Sequence, residues 1–350
     1  MKQNKVVRQF FTLFFLVFIH QVFSQHKTPE DFGFKHISIN YNKENVDVLV
    51  LSKKGEGSTP KPLFFFCQGS LPIPLIITDG ERTYPTFPFE TKSIIEKYHL
   101  VIVSKPGIPI ISDVKMLQAD LSFLVSNSET TNSEAPKYLP PKMYVKNNHL
   151  DFYVQRNLFT INFLLNQKFA DKKTLVAAGH SQGARIAVEM ALKSKNITHL
   201  IYASGNPCGQ IMSMVSKSRQ IESPMDSLTF AENDFNYYEA IIADSNKIES
   251  TDEDSYKSIY SFSKSSINDF PKLKIPTYVC YGSFDPISPF NDYLRAEMIR
   301  KRKTNFTFKC YLGLEHNYFG IKPTGEIDYD NFNWDKVAND WLDWLLKNMR

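Results

Sequence analysis

Thr174-Leu175-Val176-Ala177-Ala178-Gly179-His180-Ser181-Gln182-Gly183 is the stretch on which the reading of this chain turns. Residues 174–178 carry no charge and read as a strand buried on both faces, and residues 183–193 read as an amphipathic helix. Between them, Gly179 to Gly183 matches G-x-S-x-G with Ser181 at its centre. A serine on so tight a strand-to-helix turn holds its hydroxyl above the sheet edge. The helix N-terminus behind it offers backbone donors and a partial positive charge. The bare pattern also arises in ordinary glycine-rich turns; the flanking strand and helix are what point to a nucleophile.

Outward from this turn the same alternation continues. Residues 34–41 and 46–52 alternate apolar and polar and read as an antiparallel hairpin. Continuous apolar runs bounded by Gly or Pro follow at 63–67, 100–103, 174–178, 200–203, 277–281 and 306–312. Helical patterns lie between them at 91–98, 151–169, 183–193, 290–301 and 335–349. This order predicts an α/β fold with a mostly parallel central sheet covered by helices on both faces. Three stretches interrupt it: the Pro-rich residues 71–90, residues 108–150, and residues 207–272, the longest insertion. Long connections in a compact domain are usually lids or binding loops.

A serine hydroxyl needs a base to take its proton. His316, in Leu314-Glu315-His316-Asn317, follows the last strand and falls at the sheet edge expected to hold Ser181. Glu315 beside it is read as pointing away, into solvent. The base needs a carboxylate to hold its tautomer. Asp285, in Gly282-Ser283-Phe284-Asp285-Pro286, follows the preceding strand at the same edge, whereas the earlier strand end Ala203-Ser204-Gly205-Asn206-Pro207 offers no acid.

On Gly179-His180-Ser181-Gln182-Gly183, Gly282-Ser283-Phe284-Asp285-Pro286 and Glu315-His316, the chain resembles the α/β-hydrolase superfamily over residues 35–349, its insertions excepted. The resemblance implies a catalytic domain of residues 25–206 and 273–350 with a cap at 207–272. It also implies an oxyanion hole of two backbone N–H groups. One comes from Gln182. The other comes from the loop Gln68-Gly69-Ser70, with Ser70 favoured and Leu71 the alternative. Many members have His-Gly where this chain has Gln68-Gly69. Within the cap, from Ala231 to Asp254, eight acids (Glu232, Asp234, Glu239, Asp244, Glu249, Asp252, Glu253 and Asp254) stand against one base, Lys247. The plain reading is a solvated surface; the functional alternative is an acidic wall selecting an amine or a peptide N-terminus.

The N-terminus reads differently from the rest. Lys2, Lys5 and Arg8 precede the apolar residues 10–19, and residues 22–24 suit a signal-peptidase site after Ser24. Residues 1–24 are therefore expected to be a signal peptide, and the mature protein to be secreted or periplasmic without stable membrane insertion. Removing it lowers the formal net charge of the 350-residue chain from +4 to +1, too little to suggest nucleic acid as a partner. Four cysteines are too few for a disulfide framework, although Cys280 and Cys310 fall on neighbouring strands. No dinucleotide fingerprint, phosphate loop, His-Glu-x-x-His or C-x-x-C pattern occurs, so no cofactor or metal is expected. The expectation is an exported serine hydrolase acting on a small-molecule carboxylic ester or thioester. A peptidase similar to the prolyl-oligopeptidase or proline-iminopeptidase groups, taking short peptides, is the second reading. A non-catalytic binding protein on the same fold is the third.

Overall fold

The computed structural model describes residues 27–127, 137–223, 229–249 and 254–348. The expected signal peptide lies outside them. Eight strands form the main sheet: β1 (Phe34–Tyr41), β2 (Glu44–Leu51), β3 (Lys61–Cys67), β4 (His99–Val103), β5 (Ala170–His180), β6 (His199–Ala203), β7 (Thr277–Gly282) and β8 (Phe306–Tyr311). Their order is β1-β2-β4-β3-β5-β6-β7-β8. β2 is antiparallel to both neighbours and every later pairing is parallel. Asn42 and Lys43, both at positive φ (52° and 67°), make the two-residue turn of the first hairpin.

The central strands are apolar throughout because both faces of the sheet are covered. Alternate residues of β3 serve opposite cores. Leu63, Phe65 and Cys67 pack with α1 (Leu150–Leu165) and α2 (Gln182–Lys193). Phe64 and Phe66 pack on the other face with α7 (Trp334–Asn348), where Trp334, Val337, Trp341 and Leu345 are all buried. The same alternation separates Cys280 from Cys310. Cys280 lies opposite Lys309 rather than Cys310, the two cysteines sit in different cores, and both are free thiols.

Several expected bounds shift. The helix expected over 91–98 is a single turn, Lys92–Ile95, because Tyr98 and the residues after it are drawn into the core at the start of β4. The strand expected at 174–178 begins at Ala170, and the helix expected to reach residue 169 ends at Leu165. Residues 71–90 and 108–150 contain short strands, Ile76–Thr78 pairing with Ile111–Asp113 and Thr83–Tyr84. Within 207–272 lie α3 (Gln210–Ile221), α4 (Phe230–Ala243) and α5 (Tyr256–Ser263); a small core of Ile211, Val215 and Ala231 joins α3 to α4, while Phe262 of α5 packs into the main core. Helix α6 (Ser288–Arg300) follows the turn carrying Asp285. Among the described residues no helix is long and apolar enough to cross a membrane.

Candidate active site

Ser181 stands between β5 and α2 with φ 56° and ψ −122°, a conformation non-glycine residues rarely adopt. Its N–H is fixed by the carbonyl of Ala203 (2.9 Å). The turn is possible because of the glycines flanking it. A Cβ on Gly179 would collide with the main chain of Gly183, and one on Gly183 with the main chain of Cys67 at the end of β3. Helix and strand thus cross at backbone distance, which aims the serine side chain outward.

His316 and Asp285 come to the same edge from the ends of β8 and β7. His316 Nε2 lies 2.9 Å from Ser181 Oγ, and His316 Nδ1 lies 2.7 Å from Asp285 Oδ2. Asp285 is 2% exposed, and its other oxygen accepts the N–H of Ile287 (3.1 Å). The carboxylate is therefore held on two sides, and the imidazole bridges it to the serine.

Glu315 does not point into solvent as expected. It is buried, and its Oε1 accepts the N–H groups of Asn317 (2.7 Å) and Phe319 (2.9 Å), so it shapes the loop on which His316 sits. The opposite side of that loop rests on His180, whose Nε2 lies 3.0 Å from the carbonyl of His316. Burial, with the neighbouring His316 imidazole adding to it, lowers the pKa of His180 to about 3. His180 is thus neutral and donates that bond. Its ring meets Trp334 at a centroid distance of 4.9 Å.

Ser70 and Gln182 line one cavity with Ser181 and His316, of roughly 190 Å³, whereas Leu71 lines a neighbouring cavity that does not reach Ser181. As the first residue of α2, Gln182 has an N–H with no helical acceptor. The loop 68–70 is tied down from behind. Gln68 donates its side-chain amide to the carbonyl of Val103 (2.9 Å), a bond that a histidine's single ring N–H would have to reach differently. Lys105 Nζ donates to the carbonyls of Gly69 and Ser70 (2.6 Å each), and the Tyr144 hydroxyl also donates to Ser70 (2.5 Å). Carbonyls drawn backwards turn the intervening N–H groups the other way. Lys105 is 4% exposed, and burial pushes its pKa down to about 7. Neither Lys105 nor Tyr144 stands out in the sequence; the only signal is a lysine one residue beyond the apolar strand β4 and its following serine.

The acidic residues of the segment 207–272 do not gather at this site. Among the described residues no carboxylate from that segment lines the cavity of Ser181. Glu232 pairs with Arg219, and Asp254 accepts from Asn148 and Gln210. Asp252 and Glu253 lie outside the described residues. No group of three metal-ligating side chains occurs among the described residues.

No family model and no curated protein matches the sequence. Solved structures similar to it include 2,6-dihydroxy-pseudo-oxynicotine hydrolase, with a TM-score of 0.52 at 12% identity over 90% of this chain and 68% of that one. The acylaminoacyl peptidase of Pyrococcus horikoshii has a TM-score of 0.51 at 11% identity, covering 90% of this chain and 41% of the peptidase. Dipeptidyl peptidase 4 of Porphyromonas gingivalis has a TM-score of 0.52 at 10% identity, covering 90% and 35%. This chain thus spans less than half the length of either peptidase. Together with the strand order, these likenesses show the α/β-hydrolase fold.

Proposed function

We propose that the protein is a serine hydrolase that forms an acyl-enzyme on Ser181. The observation that carries this reading is the continuous relay from Ser181 Oγ through His316 to Asp285, at 2.9 and 2.7 Å. His316 takes the serine proton as the hydroxyl attacks a carbonyl carbon, then returns it to the leaving group. Asp285 holds the ring so that Nε2 faces the serine. The N–H groups of Gln182 and Ser70 receive the tetrahedral oxyanion. Water then repeats the sequence and frees the acid.

A carboxylic ester or thioester is the substrate class we favour. A peptidase selecting a free amine would rest on the acidic residues of the cap, and among the described residues none of these lines the cavity of Ser181. Residues 1–24 act, in this reading, as an export signal cleaved after Ser24, so the N-terminal residue of the mature protein would be Gln25.

A fluorophosphonate probe tests the nucleophile. Wild type should be labelled and Ser181→Ala should not, with turnover falling on the order of a million-fold. Equal labelling of both proteins would refute the reading. Short acyl p-nitrophenyl esters should be cleaved in preference to aminoacyl-p-nitroanilides; the reverse preference would favour a peptidase.

A further inference from the structure

The cavity of Ser181 is lined by polar side chains that the protein itself leaves unsatisfied. Arg185 is 4% exposed and lies one helical turn from Gln182, on the same face of α2. Its Nη2 lies 2.8 Å from Glu189 Oε1 as an ion pair, but all three guanidinium nitrogens are buried and, among the described residues, none makes a hydrogen bond. Both ends of the Gln182 side-chain amide and the Oε1 of Gln210 are in the same condition, and all three residues line this cavity. Buried polar groups in native proteins are normally bonded, so a cluster of exceptions calls for a partner. The other buried guanidinium is better satisfied: Arg156 donates to the Ser104 carbonyl (2.8 Å) and to Asn157 (3.3 Å), with its Nε alone lacking a hydrogen bond among the described residues.

The charges lining the cavity point one way. Arg185 contributes from the floor and Lys217, exposed on α3, from the cap side, and among the described residues no carboxylate lines the cavity. Glu189 is within ion-pair distance of Nη2 alone, so one of the two bidentate edges that share Nη2, with Nε or with Nη1, is left to meet the two oxygens of a carboxylate. Arg185 follows Ser181 by four residues, about 6 Å along the helix axis.

We propose that the substrate carries a carboxylate, bound between Arg185 and Lys217 with the side-chain amide of Gln182, a short aliphatic spacer away from the carbonyl that Ser181 attacks. The substrate class is therefore a half-ester or half-thioester of a dicarboxylic acid, an inference that rests on the serine hydrolase reading above. A carboxylate without the spacer would leave the Arg185 edge empty; a neutral acyl chain would leave buried donors unpaired, which sites of this kind penalise.

The test uses the wild-type protein and two matched pairs of esters: p-nitrophenyl hydrogen glutarate against p-nitrophenyl pentanoate, and p-nitrophenyl hydrogen adipate against p-nitrophenyl hexanoate. Rates are normalised to the fraction of Ser181 titrated by a fluorophosphonate, so a variant that folds poorly is corrected for. The anionic member of at least one pair should have the higher kcat/KM. In Arg185→Gln that anionic-to-neutral ratio should fall on the order of tenfold to a hundredfold. It should fall less in Arg185→Lys, and also fall in Lys217→Gln, where the exposed position makes misfolding no explanation. Wild-type protein that is labelled but prefers the neutral esters, or cleaves neither kind, overturns the carboxylate subsite and leaves the nucleophile standing. Absence of labelling overturns the serine hydrolase reading and this inference with it.

Discussion

Lys105 ties the chemistry of the site to its architecture. Its ammonium is buried among aromatic rings, 5.6 Å from the centroid of Tyr144 and 5.9 Å from that of Tyr153, and holds two carbonyls of the loop 68–70. Lys105→Met should lower kcat/KM about tenfold to a hundredfold by loosening the loop proposed to supply one oxyanion donor, with a parallel slowing of fluorophosphonate labelling. The sign of the pH effect follows from burial. The pKa is lowered to about 7, so the charged form that grips the carbonyls is lost as pH rises through 7. Wild type should therefore show a decline in kcat/KM above that pH which Lys105→Met lacks. Stability runs the other way. The unfolded chain keeps this proton up to its ordinary pKa, so the cost of burying the ammonium is present in full below 7 and is relieved between 7 and about 10.4. Across that window the denaturant midpoint of wild type should rise relative to that of Lys105→Met.

At the scale of elements, the crossing of α2 over β3 and the packing of α7 on the sheet determine where Ser181 stands. Gly183→Ala should abolish activity and destabilise the protein, since the added methyl group meets the main chain of Cys67 rather than a side chain able to rotate away. Trp341→Ala removes a ring packed against Phe64, Phe89 and Trp334 and should cost about 3–5 kcal/mol in urea unfolding. These elements were legible because their signals are local. Period-two hairpins, uncharged runs ending in Gly or Pro, and the spacing of Trp334, Val337, Trp341 and Leu345 each follow from burial of one face or both. The short strands inside 71–90 and 108–150 escaped notice because each has only two or three residues. They exist through pairing with partners distant in sequence rather than through their own pattern.

For the whole molecule, acid is the expected weakness. Burial pushes His180 down to about 3 and His149 to about 4, so both are neutral in the native state and take up protons readily only when unfolded. The unfolded state then binds more protons below the ordinary histidine pKa, and stability should fall as pH drops from about 6.5 toward 4. His180→Gln should flatten that dependence in denaturant titrations at pH 7 and 5. The sequence by itself determined the alternation of strands and helices, the serine on its glycine-flanked turn, and an aspartate and a histidine each just beyond a strand. It could do so because a strand that ends at the sheet edge delivers the next few residues to that edge whatever surrounds them. Only the tertiary structure decided what supports and lines the site. Lys105 reaches the loop 68–70 because β4 lies beside β3, Glu315 turns inward because two N–H groups of its own loop need an acceptor, and Arg185 faces the serine's cavity because α2 carries it one turn below Gln182 and beneath the cap. In each of these cases a charged side chain, which alone would be assigned to solvent, is buried by neighbours that no local pattern specifies.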